Sequence, residues 1–174
     1  SPQMKKSWLT YQARMASDWK GNLPYQKMVQ AYRLYTLALA DKPSFSAMNR
    51  LREDQNMPIA GRWFLAAAYA EAGRPEAAYE LVDMRNINPT ENFNGYTYGD
   101  QTRDRAMLLL AMVRLNDQNN MFTLYDQIAK SLNSGEWMNT HTTAFALIAV
   151  SKTLEKMNTD EKGLSYTMSL NKNV

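Results

Sequence analysis

An all-α fold two helical layers deep is what this sequence predicts, on three observations. Apolar residues recur at helical spacing along most of the chain, with short breaks at Gly, Pro and Asn. Two windows, Ala106-Met107-Leu108-Leu109-Leu110-Ala111-Met112-Val113 and Ala144-Phe145-Ala146-Leu147-Ile148-Ala149-Val150, are apolar all round, so helices built from them need enclosure by neighbours. Between them, Met121, Phe122, Leu124, Tyr125, Ile128, Ala129 and Leu132 form a single stripe, with Asp117, Gln127 and Lys130 left to water. The order inner, outer, inner marks helices stacked as two concentric layers, an α/α-toroid, or as two rows of a helical-repeat solenoid.

Each element follows from local signals. Met4 to Trp19 carries Trp8, Leu9, Tyr11, Met15 and Trp19 on an apolar face, and Gly21-Asn22 stops it. Pro24 opens a helix over Tyr25 to Ala40, with Met28, Ala31, Tyr32, Tyr35 and Leu39 at helical spacing. Ser44 is placed to cap a shorter helix from Phe45 to about Glu53, and Pro58 starts another that runs to Ala72 and stops at Gly73. Arg74-Pro75-Glu76 restarts the chain at once, so a helix over Pro75 to Met84 forms an αα-hairpin with its predecessor. Asn86 to Tyr98 is the longest irregular stretch, a length that points to a functional loop or a packed plug. Asp100 caps the first fully apolar helix, the stripe helix covers about Gln118 to Leu132, and the second apolar helix covers Thr142 to Met157. After Gly163 the period changes to two, with Leu164, Tyr166, Met168 and Leu170 alternating with polar residues, which reads as one strand. The organisation expected is a helical body over residues 1–160 and a strand over 161–174 leading into a following β domain or pairing elsewhere in the fold.

Composition bounds the function classes. A chain of 174 residues with 45% hydrophobic and 21% charged residues makes one globular core. Its net charge is +3, but the cations are scattered singly or in pairs such as Lys5-Lys6, so nucleic-acid binding is not expected. The absence of cysteine excludes zinc-thiolate sites, disulfides and thiol nucleophiles. No stretch approaches the roughly 18 apolar residues of a membrane span, and Ser1-Pro2-Gln3 reads as the start of an excised piece rather than a signal peptide.

Few residues carry chemistry, and no catalytic, cofactor-binding or metal-ligating residue is expected. His141, the only histidine, stands at a helix start beside Thr140 and Thr142, where a hydrogen-bonded capping role suits it better than catalysis without partners. Asp100 and Asp104 fall one helical turn apart on one face, as a glycosidase pair would require. N-capping by Asp100 and an ion pair of Asp104 with a nearby Arg are the simpler roles. Tyr96 and Tyr98, with Phe93 and Asn94, either line a carbohydrate or peptide groove or plug the end of a helical barrel. Together with Trp137 and His141 they make the candidate interaction loops. The methionines fall at core spacing and read as adaptable filling.

Several segments carry a family resemblance. Trp137-Met138-Asn139-Thr140-His141-Thr142-Thr143-Ala144 is similar to the loop and inner helix that close the α/α-toroid of alpha-2-macroglobulins, commonly worded Trp-x-Ser-Thr-Gln-x-Thr-Ala. Tyr98-Gly99-Asp100-Gln101-Thr102-Arg103-Asp104-Arg105-Ala106 resembles the family's Tyr-Gly-Ser-x-x-Arg-Asp-x-Ala, and Gln30 to Ala40, Ala47 to Glu53 and Arg62 to Tyr69 resemble its bacterial branch in the same order. The resemblance implies the C-terminal part of a thioester-type toroid followed by a β-sandwich, inside a bacterial broad-range protease trap that is secreted, periplasmic or held at the cell envelope by a lipid anchor. It implies the other domains of the parent and the trapped proteases as partners, no enzyme activity and no cofactor. The family's Cys-x-x-Gln thioester does not carry over, since there is no cysteine. A toroid glycoside hydrolase or lyase stays as an alternative. So does a peptide-binding helical scaffold: the spacing of Trp63, Ala67, Tyr69, Gly73, Ala77 and Ala78 is similar to a tetratricopeptide hairpin, but no 34-residue recurrence follows and the tight packing of any short αα-hairpin explains it better.

Overall fold

The structure is a computed structural model that describes residues 1–84, 87 and 100–160. Its described residues form eight helices: α1 (Pro2–Ser17), α2 (Pro24–Leu39), α3 (Phe45–Arg52), α4 (Ile59–Glu71), α5 (Pro75–Tyr79), α6 (Gln101–Leu115), α7 (Gln118–Asn133) and α8 (Thr140–Asp160). The fold is all-α, and the strand expected at Leu164 to Leu170 lies outside the described residues, as does the loop bearing Tyr96 and Tyr98.

Helix ends follow the sequence signals closely. Asp100 accepts a hydrogen bond from the Arg103 N–H at 3.0 Å, and Asp117 accepts one from the Asn120 N–H at 3.2 Å, so α6 and α7 are capped by side chains. Pro24 and Pro75 occupy the first helical positions of α2 and α5. Two expectations need correction. Ser44 stands at the N-cap of α3 without a side-chain cap hydrogen bond, and α5 ends at Tyr79 rather than Met84. Beyond Tyr79 only turn hydrogen bonds continue, Leu81 N–H to Ala78 O and Val82 N–H to Tyr79 O, so the helical ladder is lost in a tighter turn.

One termination motif recurs. α2, α4 and α6 each end in a residue with positive φ: Asp41 (56°), Gly73 (70°) and Asn116 (57°). In each case the next N–H reaches back to the carbonyl five residues earlier, Lys42 to Leu37, Arg74 to Tyr69 and Asp117 to Met112, at 2.9–3.0 Å. This is the Schellman motif, which satisfies the last carbonyls and turns the chain sharply into the next helix.

The layering follows from which helices touch. The most extensive packing is α2 on α4, α4 on α6 and α6 on α8, so the even-numbered helices form an inner row. Tyr32, Phe64, Arg103 and Phe145 meet at one end of that row, whereas Leu39, Glu71, Asn116 and Lys156 line a groove at the other. The four inner helices therefore run in the same direction, with α3, α5 and α7 returning the chain. α4 is the centre of the row, with every residue from Trp63 to Ala70 buried, and its run of alanines lets α2 and α6 approach from both sides. α1 rests on α2 and α3 through Leu9 and Ala16, and its C-terminal carbonyls accept from Gln30 and Arg50.

The enclosure expected of both apolar helices holds for one. α6 is buried through Arg103, Asp104, Ala106–Leu109, Ala111 and Met112, but α8 leaves Leu147 54% and Ile148 51% exposed. The reason is position: among the described residues α8 is the last of the inner row, so Phe145, Ala146, Ala149 and Thr153 face α6 and the opposite side meets no inner neighbour.

Candidate functional site

The sharpest concentration of polar chemistry lies where the N-terminal ends of the inner helices converge. Asp100 caps α6 with one carboxylate oxygen and accepts a hydrogen bond from the Thr142 hydroxyl with the other, at 2.8 Å. Thr142 is fully buried on the first turn of α8, so this contact ties the starts of two neighbouring helices. One turn on, Arg103 and Asp104 are buried side by side, with Arg103 Nε donating to Asp104 Oδ1 at 2.8 Å and a terminal nitrogen at 2.5 Å. The Arg103 guanidinium also lies over the Phe64 ring, 5.3 Å from its centroid. Burial pushes the Asp104 carboxyl above the ordinary range, while the Arg103 charge and its hydrogen bonds pull the other way.

Four rings continue from this cluster. Phe64 meets Tyr32 edge-on at 5.8 Å, Tyr32 meets Phe145 at 6.0 Å, and Phe145 meets His141 at 5.0 Å. The chain of rings runs from α4 through α2 to α8, and joins helices at the two ends of the described inner row. T-shaped pairs of this kind add about 0.5–1.5 kcal/mol each beyond area burial.

The sequence-predicted residues are placed unevenly. His141 is exposed on the first turn of α8 and stacks edge-on to Phe145, but it is not the cap of that helix. The cap is Asn139, whose side-chain oxygen accepts from the Thr142 N–H at 2.9 Å, because a short amide on the residue before the helix reaches that N–H directly. Trp137 is 87% exposed on the loop between α7 and α8. Tyr96 and Tyr98 are outside the described residues. Asp100 and Asp104 take the capping and ion-pair roles that the sequence favoured, with both Asp100 oxygens and Asp104 Oδ1 engaged in hydrogen bonds. Arg103 was expected only as an unspecified Arg near Asp104, and Thr142, Phe64 and Tyr32 had no expected part in the site. The one available signal was Arg103-Asp104, a charged pair immediately ahead of an otherwise apolar helix centre.

At the other end of the row, a groove of about 670 Å³ is floored by Tyr35, Leu39, Leu110, Val113 and Ile148. Its rim carries Glu71 facing Arg114 at 3.5 Å and Lys152 facing Glu155 at 2.7 Å. Burial, with Glu71 nearby, pushes the Tyr35 hydroxyl well above the usual phenol range, so it stays a neutral donor. Mixed charge and an apolar floor suit a side chain or peptide better than a charged small molecule. Among the described residues no three His, Asp or Glu side chains are grouped to hold a metal ion, and no helix is long and apolar enough to cross a membrane. Compared with protein-family models, curated proteins and solved structures, the chain finds no match in any of the three.

Proposed function

We propose that this chain is an interaction module of a bacterial alpha-2-macroglobulin-like protease trap, supplying the C-terminal part of an α/α-toroid and no active site of its own. The observation that supports it best is the row of four same-direction inner helices, with other helices returning the chain between them. Added hairpins of the same kind, set at a constant angle, close such a row into a ring. Most segments that resemble the family also fall on this row: Gln30 to Ala40 in and just after α2, Arg62 to Tyr69 in α4, Asp100 to Ala106 at the start of α6 and Thr140 to Ala144 at the start of α8, while Ala47 to Glu53 falls on the returning helix α3.

In this role the module holds its shape while the parent's other domains rearrange around a protease that has cut a bait segment elsewhere. The setting is the periplasm or cell envelope. The buried Arg103–Asp104 pair and the hydrogen-bonded Asp100 favour a scaffold over a toroid glycosidase. The test incubates the full parent protein with a panel of endopeptidases and follows cleavage of large and small substrates. Loss of activity on large substrates alone supports trapping, and unchanged activity on both refutes it. The apolar groove at the C-terminal end of the inner row favours one other reading, a peptide-binding helical scaffold, which predicts tight capture of an extended peptide by this chain alone.

A further inference from the structure

α1 has a second apolar face that the described structure leaves exposed at Met4, Trp8 and Tyr11 and covers in part at Met15. Leu9, Gln12 and Ala16 turn toward the body, and Ala16 is fully buried. A quarter-turn away, Met4, Trp8, Tyr11 and Met15 form a straight seam in which Met4 is 71% exposed, Trp8 46% and Tyr11 48%. Their spacing of four, three and four residues is the alternation of a coiled-coil seam, on which only a second helix keeps contact along the whole length. With Met4 and Tyr11 at one core register and Trp8 and Met15 at the other, the flanking positions are Lys5 and Gln12 on one side and Ser7 and Arg14 on the other.

The flanks state the partner's charge. They carry two cations and no acid, the first turn of α1 has no acidic residue, and the Arg14 guanidinium lies 5.8 Å from the Tyr11 ring centroid, at the edge of the seam. A second copy of α1 packed on this seam gains no flanking ion pair, because neither copy carries an acid there. An anionic membrane offers the right charge, but helices that lie in a membrane surface present a broad apolar face, whereas this seam is narrow and has Ser7 and Gln12 on its borders. We infer that α1 docks an amphipathic partner helix with a narrow apolar seam and Glu or Asp on its flanks. The C-terminal end of α1 is already fixed, because its carbonyls accept from Gln30 and Arg50, so the docking face is held in place before a partner arrives. The basis is the seam and its flanks alone, and holds whether or not the parent is a protease trap.

The test titrates the whole chain into a labelled synthetic helical peptide of about three heptads with Leu at the seam and Glu at the flanking positions, read by fluorescence anisotropy. A sister peptide with Lys flanks and vesicles of phosphatidylcholine with phosphatidylglycerol run in parallel. The acidic peptide is expected to bind about tenfold or more tightly than the basic one, a difference of about 1.4 kcal/mol. Trp8→Ser should weaken that binding by about tenfold or more, and the double variant Lys5→Glu/Arg14→Glu should reverse the preference. All three positions are exposed, so circular dichroism should be unchanged. Equal affinity for the two peptides, no binding of either, indifference to Trp8→Ser, or capture by vesicles in place of peptide would each overturn the proposal.

Discussion

Arg103 and Asp104 are adjacent in sequence, buried together, and capped by an aromatic face, so each is tolerable only because of the other. Removing one partner leaves an uncompensated buried charge. Asp104→Asn or Arg103→Met is expected to cost about 3–5 kcal/mol by urea denaturation, and the double change Arg103→Met/Asp104→Leu to cost less than the sum of the singles. Additive losses would show that the pair does not act as a unit. Lys27 makes a second such contact: its Nζ lies 2.8 Å from Asp54 Oδ2 and 3.3 Å from the Asn56 carbonyl. The Lys27 hydrogen bond holds the Asp54 carboxyl below the ordinary carboxylate range, against a smaller opposing effect of burial. The native state thus binds fewer protons here than the unfolded chain. Its stabilisation is complete above the unfolded carboxyl pKa and is lost as pH falls through the folded one. Asp54→Asn should therefore flatten the acid side of the melting-temperature profile, and an unchanged slope would contradict the pairing. The Asp104 ion pair was legible because its Arg partner is a sequence neighbour, whereas the Lys27–Asp54 contact was not, because Lys27 and Asp54 are brought together only by the packing of α2 beside the turn after α3.

The elements themselves were largely legible. Pro at helix starts, Asp at N-caps and Gly73 at a stop are local signals whose energetics need no tertiary structure. The shared Schellman ending of α2, α4 and α6 was read at Gly73 alone, since Asp41 and Asn116 do the same work with residues that the left-handed region costs more. Asp41→Gly is expected to raise stability by up to about 1 kcal/mol, and Gly73→Ala to lower it by about 1 kcal/mol or more, measured by thermal denaturation. If Gly73→Ala is neutral, the turn does not hold the left-handed geometry. α5 was drawn too long because Leu81, Val82 and Met84 continue a helical apolar pattern, while the backbone there tightens into turns.

At the scale of the molecule, burial distinguishes two helices that look alike in sequence. α6 and α8 both have continuous apolar centres, yet only α6 is flanked by inner neighbours on both sides. Leu109→Ala in α6 should cost about 2–5 kcal/mol, while Leu147→Gln in α8 should stay within about 0.5 kcal/mol, both by urea denaturation. A large loss at Leu147 would mean that this face is covered in the folded protein. The exposed sides of α1 and α8 lie at the two ends of the helical array, the places where a larger assembly of the proposed kind continues its contacts.

The sequence by itself determined the helical class, the order of the helices and most of their ends, because spacing, caps and stops act within a few residues along the chain. The tertiary structure alone decided that Asp100 ties α6 to Thr142 of α8, that Phe64, Tyr32, Phe145 and His141 form one run of rings, and that α8 keeps an open face. Those outcomes depend on which helix becomes the neighbour of which, and residues tens of positions apart meet only once the inner row is assembled.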